Sequence, residues 1–432
     1  MRSEIMENKN VAMVGTPCQI LAATKINEYN EKTGGSPIDL KIGLFCMENF
    51  SYTYLKKFLE DNNISLNDVK SFRIEGNKFK VFIKNKDKNN PSENDIGNDV
   101  ANRIINNLSK SIDQNVADDI AKNVVTNKAN EIGKNISNNI ANDIYNATDN
   151  SKEDNEENIF MVPLNNTDSF KRKNCDICID YCSDISDISV GSIGSPKGWS
   201  TVIVRTEKAK EILENGEKEG YFETKDLIEK DKNLLEKIAT KKKGDNLANI
   251  EKREAISRPV LFNRKINNEK IEEISSKSQF ENLEKDVISE GACVLCGACE
   301  YVCPTDIIKI NDRKPQKFGQ CKEDCHACYY ACPRTYLSEK IMAKNLKTKP
   351  LGDYLDIFAV KSKNIEGQDG GAVSSILIYL LEKNLVEDVF IVDQDKEIPW
   401  KPISKLTEDV QEVIDASGTK YSTVPIAFKA LK

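Results

Sequence analysis

Histidine is nearly absent from this chain, and its scarcity excludes several kinds of active site. Only His326 occurs among 432 residues, so a Ser-His-Asp triad, a His-Glu-x-x-His zinc site and a histidine-rich metal site cannot be built. If the protein is an enzyme, bound cofactors must supply its chemistry. His326 lies inside a cysteine-rich loop, where it is either a solvated loop residue or a donor that tunes a bound cluster.

Three further absences narrow the class of protein. The formal net charge of -7 offers no basic field to nucleic acid or to an anionic membrane surface. No apolar run reaches the roughly 18 residues that a membrane span needs. Residues 1–10 also lack the apolar core of a secretion signal. We therefore expect neither nucleic acid nor a membrane span, and the length predicts two to four domains.

Cysteine, by contrast, is abundant, with thirteen in the chain. Eight of them form two near-copies of one pattern, Cys293-x2-Cys296-x2-Cys299-x3-Cys303-Pro304 and Cys321-x3-Cys325-x2-Cys328-x3-Cys332-Pro333. This is the ligand run of a two-cluster bacterial-type ferredoxin, in which each [4Fe–4S] cluster takes four thiolates. Zinc sites and disulfides are the alternatives, but zinc sites usually use two separated Cys-x2-Cys pairs. So many cysteines without an export signal predict a reducing, cytoplasmic location.

The cysteine that precedes each proline is expected to serve the other cluster. In two-cluster ferredoxins the chain crosses over after the first loop, so the fourth cysteine of each run reaches the neighbouring cluster. The predicted sets are Cys293, Cys296 and Cys299 with Cys332, and Cys321, Cys325 and Cys328 with Cys303.

The apolar pattern predicts an α/β protein with a segmented chain. Residues 1–84, 159–265 and 350–432 carry short buried strands. Residues 266–284 are charged and linker-like, and residues 285–345 hold the ferredoxin module, a small α+β domain. Strands are predicted at 11–14, 41–45, 72–74, 79–83, 188–190, 201–204, 357–360 and 389–392, with helices after Cys18, after Thr206 and at 372–383.

Residues 85–158 have a different composition, rich in Asn, Asp, Lys and Ser. Apolar residues recur at every fourth position from Ile96 to Ile144, and only Lys128 breaks the series. A spacing of four overshoots the 3.6-residue turn, so the apolar stripe drifts around a helix. This predicts a low-complexity insert, either a helical hairpin or oligomerising arm that binds a partner, or a weakly ordered segment.

Five cysteines lie outside the ferredoxin pattern. Cys18 and Cys46 each follow a predicted strand directly, Cys175 and Cys178 form a tight Cys-x2-Cys, and Cys182 lies nearby. Strand ends in an α/β sheet converge at one edge, so four of these thiols are placed to ligate a third cluster. The alternative is that they are buried structural thiols.

Three glycine-containing loops offer backbone N–H groups and hydroxyls to an anion. They are Gly15–Gln19, Gly191–Thr201 and Gln368–Gly371. None is a G-x-G-x-x-G or a Walker A motif, so each alone is equally a plain turn. Together with three clusters they favour a nucleotide-type cofactor, above all a flavin. A flavin joins one-electron clusters to a two-electron hydride donor.

These segments carry a family resemblance. The matching motifs are Val14-Gly-Thr-Pro-Cys-Gln19, Gly43-Leu-Phe-Cys-Met-Glu-Asn-Phe50, Cys175-x2-Cys178-x-Asp180-Tyr181, Asp187-Ile-Ser-Val-Gly191, Gly198-Trp-Ser-Thr201 and Gln368-Asp-Gly-Gly-Ala-Val373. The chain resembles the coenzyme F420 hydrogenase/dehydrogenase beta-subunit family, everywhere except 85–158. The resemblance implies FAD in the α/β core and coenzyme F420 as its hydride partner. It also implies other redox subunits (hydrogenase, dehydrogenase or reductase) as partners.

The resemblance also implies particular site residues. A proximal [4Fe–4S] cluster would take Cys18, Cys46, Cys175 and Cys178, leaving Cys182 spare. The implied flavin contacts are Gly15, Thr16, Pro17, Gln19, Ser192, Gly194, Ser195, Ser200, Thr201, Gln368, Gly370, Gly371, Lys420 and Tyr421. Lys197 and Arg205 are either anion contacts for FAD or F420 phosphate or ordinary solvated cations.

The order of the halves departs from the family pattern. Members that resemble this chain place the ferredoxin first, then the half with Gln-Asp-Gly-Gly, then the half with Gly-Thr-Pro-Cys-Gln, whereas here the last of these comes first. The chain therefore reads as a circular permutation of one flavin-binding unit. Two adjacent genes or fragments read as one, or head-to-tail complementation between two copies, explain the order equally well.

The predicted function is hydride transfer between coenzyme F420 and FAD, with single electrons passing through the clusters to a partner. One rival is an FAD- and ferredoxin-dependent reductase that acts on an organic double bond. The other is a non-catalytic electron carrier or assembly subunit whose flavin site the permutation has broken.

Overall fold

The computed structural model describes residues 10–75, 78–84, 158–311, 314–345, 349–365, 367 and 369–431. The predicted insert lies outside these residues, apart from Asn158. The chain divides into two compact units, Met1–Lys80 with Met161–Lys432, and Val81–Phe160. The first unit holds all thirteen cysteines. In the described part of the chain, no helix has the length and apolar character needed to cross a membrane.

The strands are short and begin and end close to the predicted positions. In chain order they are β1 Val11–Gly15, β2 Leu40–Leu44, β3 Val69–Glu75, β4 Lys78–Ile83, β5 Asn158–Pro163, β6 Ile188–Gly191, β7 Ser200–Val204, β8 Phe222–Asp226, β9 Ile308–Asn311, β10 Lys314–Lys317, β11 Asp356–Ser362, β12 Asp388–Gln394 and β13 Pro402–Thr407. The predicted hairpin arms fall on β3 and β4, where the Phe72 and Phe79 rings stack at 5.5 Å.

The helices of the described residues vary widely in length. They are α1 Pro17–Thr33, α2 Tyr52–Asp61, α3 Glu207–Lys218, α4 Glu229–Ala255, α5 Asn268–Ser276, α6 Phe280–Leu283, α7 Ala298–Tyr301, α8 Ala327–Tyr330, α9 Glu339–Asn345, α10 Ala372–Glu382 and α11 Val410–Asp415. Thr206 caps α3 as predicted, because its hydroxyl accepts a hydrogen bond from the Ala209 amide at 3.3 Å.

One mixed sheet forms the centre of the first unit. Its strand order is β13-β12-β1-β2-β6-β7-β11-β8. The pairs β12–β1, β1–β2 and β2–β6 are parallel, and the outer pairs are antiparallel. Helices that cover both faces of a parallel sheet bury its central strands completely, which explains why Val11, Ala12 and Met13 are all inaccessible to solvent. The fold is the predicted α/β class.

Distant parts of the chain build this sheet together. Val11 in β1 pairs with Asp388 in β12 on one side, and Ala12 pairs with Leu40 in β2 on the other. The half that carries Gly-Thr-Pro-Cys-Gln and the half that carries Gln-Asp-Gly-Gly therefore share a single hydrogen-bonded layer.

The segment predicted as a charged linker, residues 266–284, contains two helices, α5 and α6. Ile271 on α5 and Phe280 and Leu283 on α6 are buried in the same core as the cysteine loops. Three apolar side chains among many charges are enough to dock short helices, although they are too few to produce a clear periodic signal. The other predicted domain boundaries stay predictions.

The ferredoxin-type region is built from two similar loops. Each loop leads into a one-turn helix, α7 or α8, that carries the third cysteine of its run, and β9 pairs antiparallel with β10 between them. Leu295 and Gly297 in the first loop and Asp324 in the second have left-handed backbones, with φ of 58°, 89° and 57°. Such residues let the chain curl tightly, so that neighbouring cysteines point toward a common centre.

Candidate functional site

One cavity brings together the four thiols that were predicted to hold a proximal cluster. Cys18, Cys46, Cys175 and Cys178 all line it, and the space between its atoms is about 410 Å³. The remaining lining residues come from both halves of the chain and from the ferredoxin-type region: Thr16, Pro17, Gln19, Met47, Asn49, Asn174, Lys242, Val294 and Thr423.

Strand ends position two of these cysteines. Cys18 lies in the first turn of α1, directly after β1, and Cys46 lies two residues beyond β2, which is the parallel neighbour of β1. Parallel neighbours end at the same edge of a sheet, so both thiols reach the same side. The Cys46 amide donates to the Tyr181 carbonyl at 2.9 Å, which ties this loop to the Cys-x2-Cys segment.

The long helix α4 holds the Cys-x2-Cys loop in place. The Asn246 amide group donates to the carbonyls of Cys175 at 2.8 Å and Cys178 at 2.7 Å. One turn further on, Asn249 donates to the Asp176 carbonyl at 3.2 Å. Residues three or four apart lie on one face of a helix, so this face of α4 contacts the whole loop. The loop is thereby fixed by side chains rather than by secondary structure of its own.

Lys242, on the same face of α4, brings a buried positive charge to the thiols. Its ammonium group donates to the carbonyls of Cys46 and of Asp180, the latter at 2.8 Å, and lies 4.0 Å from the Cys178 sulfur. Burial lowers the pKa of Lys242, but the nearby Cys178, Cys46 and Cys175 reverse this, so that the pKa lies above its ordinary value. A cation held here compensates the negative charge of thiolates.

The donor set fits an iron–sulfur cluster. Burial raises the pKa of Cys175 to about 12, and burial likewise raises the pKa of Cys18 and of Cys46. Such thiols become thiolates only when a cation replaces their protons, which is what metal ligation does. Sulfur contacts suited to thiolates are already present, from the Asn49 amide to Cys175 at 3.3 Å and between the Thr16 hydroxyl and Cys18 at 3.3 Å.

Single-ion coordination is a different arrangement. Among the described residues, no group of three or more His, Cys, Asp or Glu side chains is close enough to hold one metal ion. A cubane cluster does not need such closeness, because each thiolate binds a different iron corner. The cavity therefore suits a cluster better than a zinc ion.

Cys182 does not line the cavity. It is completely buried among Tyr181, Ile203 and Leu227 on the other side of the loop. This agrees with the prediction that Cys182 is a spare, structural thiol.

The ferredoxin cysteines group as the crossed pairing expects. Burial raises the pKa of Cys332 to about 12, and the Cys293 thiol raises it further, so these two residues are neighbours. Burial also raises the pKa of Cys296, where Cys332 is the largest contribution from another charge. Amide donors point at both loops, from Leu295 to the Cys293 sulfur and from Arg334 to the Cys332 sulfur, each at 3.4 Å. The ligand assignments themselves stay predictions.

The proximal cavity adjoins the first ferredoxin set. Val294, inside the first cysteine loop, lines the cavity. After burial and the hydrogen bond and charges that act against it, the Cys18 thiol contributes to raising the pKa of Cys293. The set of Cys321, Cys325 and Cys328 is not among the cavity residues. The three thiolate sets are thus arranged with the Cys293 set next to the proximal one.

The predicted flavin contacts separate into two groups. Thr16, Pro17 and Gln19 line the cysteine cavity. A second group meets elsewhere in the fold, because the Ser200 hydroxyl donates to the Asp369 carbonyl and a Cβ added at Gly370 would lie 2.8 Å from the Ser200 amide nitrogen.

The second group offers donors to an anion. Gly371, with φ of 67°, is the N-cap of α10 and leaves the first N–H groups of that helix without a side-chain cap. The Thr201 hydroxyl is buried and lacks a hydrogen-bond partner within the described structure. Unpaired donors of this kind fit the pyrophosphate of FAD. Tyr421 lies near them, since burial raises its pKa to about 12 and the Asp369 charge adds to the shift.

The remaining predicted contacts are placed less favourably. Arg205 is buried in an internal network and donates to Ser189 and to the carbonyls of Leu351, Asp353 and Cys182. These bonds occupy the guanidinium with protein oxygens. Lys197 and Ser192 are exposed, Gly194 and Ser195 help to shape their loop, and Lys420 donates to the Ala416 and Ser417 carbonyls. Gln368 lies outside the described residues, and the contact of Gly15 with a cofactor stays a prediction.

Sequence reasoning missed the residues of α4. The buried face of this helix consists of Leu235, Ala239, Lys242, Asn246 and Ile250. Their spacing is helical, but two of the five side chains are polar, so a search for apolar periodicity overlooks them. The buried Arg334 beside the cavity was missed as well, because arginine rarely lies in a core.

Comparison with known proteins agrees with this arrangement. Residues 8–230 match the family model for the C terminus of the coenzyme F420 hydrogenase/dehydrogenase beta subunit, and residues 357–432 match the model for the N-terminal part of the same protein. Residues 286–309 match a 4Fe-4S binding domain. The C-terminal part thus precedes the N-terminal one, as the permuted order predicted.

Relatives are of moderate identity. The coenzyme F420 hydrogenase subunit beta of Methanococcus voltae is 27% identical over 59% of this chain and 66% of its own length. The coenzyme F420-dependent sulfite reductase of Methanocaldococcus jannaschii is 28% identical over 32% of this chain and 21% of its own.

A chain of the F420-reducing [NiFe] hydrogenase complex from Methanosarcina barkeri is 28% identical. The match covers 58% of this chain and 62% of that one, with a TM-score of 0.38, too low to transfer its arrangement. This chain thus spans just under two thirds of the beta subunits that it matches. Since the C-terminal family model alone matches more than half of its residues, the protein belongs to the coenzyme F420 hydrogenase/dehydrogenase beta-subunit family.

Proposed function

We propose that the protein is an iron–sulfur flavoprotein oxidoreductase of the cytoplasm that exchanges hydride with coenzyme F420. Electrons would pass between bound FAD, three [4Fe–4S] clusters and a partner redox subunit. The observation that carries the proposal is the cavity lined by Cys18, Cys46, Cys175 and Cys178, which adjoins the first ferredoxin set.

The residues of the chain would bind and orient these groups. The four cavity cysteines would hold the proximal cluster, while Lys242 compensates its charge and Asn246 fixes the loop. Thr201, Gly370 and Gly371 would hold the anionic part of FAD at the start of α10. When bound, FAD supplies the conversion between a hydride pair and single electrons.

The sheet supports a flavin site made from both halves. Phe50 follows the Cys46 loop, and Tyr421 follows the last helix, yet their backbones form two-stranded contacts on both sides of Phe50. Gln19 also donates to the Val424 carbonyl at 3.3 Å. A permuted order therefore does not separate the segments that the proposal needs.

The test is anaerobic. The protein is purified, reconstituted with iron, sulfide and FAD, and mixed with coenzyme F420 and a viologen as electron partner. Bleaching or recovery of the deazaflavin absorbance reports hydride transfer, and bound FAD and iron are counted in the same sample. Turnover with bound FAD supports the proposal.

Each negative result has a separate meaning. Absence of F420 turnover with FAD and all clusters bound would favour a reductase that uses another hydride partner. Absence of bound FAD would leave an electron carrier. Thr201→Val is a useful variant, because it removes an unpaired hydroxyl and should weaken FAD binding without destabilising the fold. The exposed Thr33→Val serves as its control.

A further inference from the structure

Arg334 is an unusual buried cation between two of the proposed cluster sites. It follows Cys332-Pro333, and only 3% of it is exposed. Its side chain lines a small cavity together with Cys18, Cys178 and Phe262. The guanidinium carbon lies 4.2 Å from the centre of the Phe262 ring. Phe262 thus covers one face of the guanidinium and helps to hold it in place.

The guanidinium lacks the partners that a buried charge normally has. Its Nε and Nη2 atoms are inaccessible and make no hydrogen bond within the part of the chain that the structure describes. Burying a charge without a partner costs several kcal/mol. The other buried cations nearby differ in this respect, because Lys242 donates to the Asp180 carbonyl and Lys25 donates to the Tyr336 carbonyl at 3.2 Å. The unused N–H groups of Arg334 therefore point to a missing anionic group.

Two thiolate sets lie on either side of this charge. Arg334 acts against burial to lower the pKa of Cys18 in the proximal set and of Cys293 in the first ferredoxin set. Its backbone amide also donates to the Cys332 sulfur at 3.4 Å. Clusters held by four thiolates carry net negative charge, and both charge and hydrogen bonds to sulfur set their reduction potentials.

We propose that Arg334 is a positioning residue that donates hydrogen bonds to the sulfur atoms of the proximal cluster, the adjoining ferredoxin cluster or both, and raises their reduction potentials. This inference rests on the proposed function only in requiring that the clusters bind. A fixed cation stabilises the more negative, reduced state of a cluster, so its removal lowers the potential. The third set, Cys321, Cys325 and Cys328 with Cys303, lies outside the cavity that Arg334 lines.

The experiment compares midpoint potentials in the reconstituted protein. Cluster signals are followed by electron paramagnetic resonance during an anaerobic redox titration of wild type, Arg334→Met and Arg334→Lys. The methionine variant should shift at least one midpoint downward and leave at least one other unchanged. The lysine variant, which keeps the charge, should shift less. Arg264→Met is the matched control, because Arg264 is exposed and ion-paired with Glu254, and it should shift none.

Several outcomes overturn the inference. Unchanged midpoints in Arg334→Met with full iron content would remove the electrostatic role. Equal shifts in the methionine and lysine variants would assign Arg334 to packing. If Arg334→Met loses iron, retention of iron by Arg334→Lys supports the charge role, and equal loss in both overturns it. Wild type that titrates three clusters without F420 turnover would contradict the proposed function and leave this inference standing.

Discussion

The amide of Phe50 donates a hydrogen bond to the carbonyl of Tyr421 at 2.9 Å, and the Phe50 carbonyl accepts one from the Thr423 amide at 3.0 Å. The two rings lie 6.3 Å apart, and Phe79 and Phe170 pack against Phe50. This contact joins the loop that carries Cys46 to the segment that carries Thr423, and both residues line the cysteine cavity. The cavity therefore depends on segments from opposite ends of the sequence.

Cysteine substitutions separate ligands from structural thiols. Cys178→Ala should lose one of the three proposed clusters, and iron content should fall by about one third, because each cubane needs four ligands. Cys182→Ala is the matched control, since Cys182 is a buried thiol outside the cavity, and its iron content should equal that of wild type. Iron loss in the control, or full iron in Cys178→Ala, would contradict the ligand assignment.

Asn246→Ala should loosen the proximal site. The substitution leaves the carbonyls of Cys175 and Cys178 without their donor, at a cost of about 1–3 kcal/mol for each unsatisfied group. We expect a lower urea midpoint and faster release of iron to a chelator. Asn249→Ala loses a single bond of 3.2 Å and should have the smaller effect on both measurements. A larger effect at Asn249 would refute the role given to Asn246.

Two glycine substitutions should change stability in opposite directions. A Cβ at Gly43 would lie 2.1 Å from the Ser183 hydroxyl oxygen, so Gly43→Ala should cost about 1–3 kcal/mol through overpacking. Gly244 lies within α4, and nothing lies within 4 Å of an added Cβ. Gly244→Ala should therefore stabilise the protein by about 0.5–1 kcal/mol. Chemical unfolding of both variants checks the two signs.

Lys420 predicts a pH dependence of stability. Burial lowers its pKa from 10.5 to about 8, against the opposing charge of Asp393. Below pH 8 the lysine is charged in both states, and the folded state bears the full cost of burying it. Between about pH 8 and 10.5 the unfolded state holds the extra proton, so this contribution to stability improves as pH rises.

Lys420→Met removes this contribution. The variant should exceed wild type in stability below pH 8 by no more than about 3 kcal/mol, and the difference should vanish near pH 10.5. Unfolding free energies measured across this range check the trend. The exposed Lys230→Met should follow the wild-type curve. A constant difference across the range would mean that Lys420 acts through packing or its hydrogen bonds to Ala416 and Ser417.

Sequence reasoning reached the strands and the cysteine sets but not the side chains that support them. Runs such as Val11–Met13 followed by Gly15 are short, apolar and ended by a turn residue, so local chemistry is enough to predict a strand there. The convergence of Cys18 and Cys46 follows from parallel neighbours. Nothing local announces Lys242, whose burial depends on a loop more than sixty residues earlier in the chain. Long-range polar contacts of this kind leave no periodic signal.

The pairing of β1 with β12 also determines when the protein can be completed. A ribosome releases Val11 long before Asp388, its partner in the sheet. Until then, one side of β1 has no neighbour, and an unpaired apolar strand is a template for aggregation. Cluster insertion faces the same delay, because Thr423 closes the wall of the cysteine cavity. Newly made chains should therefore need protection from chaperones, and iron–sulfur loading should follow synthesis rather than accompany it.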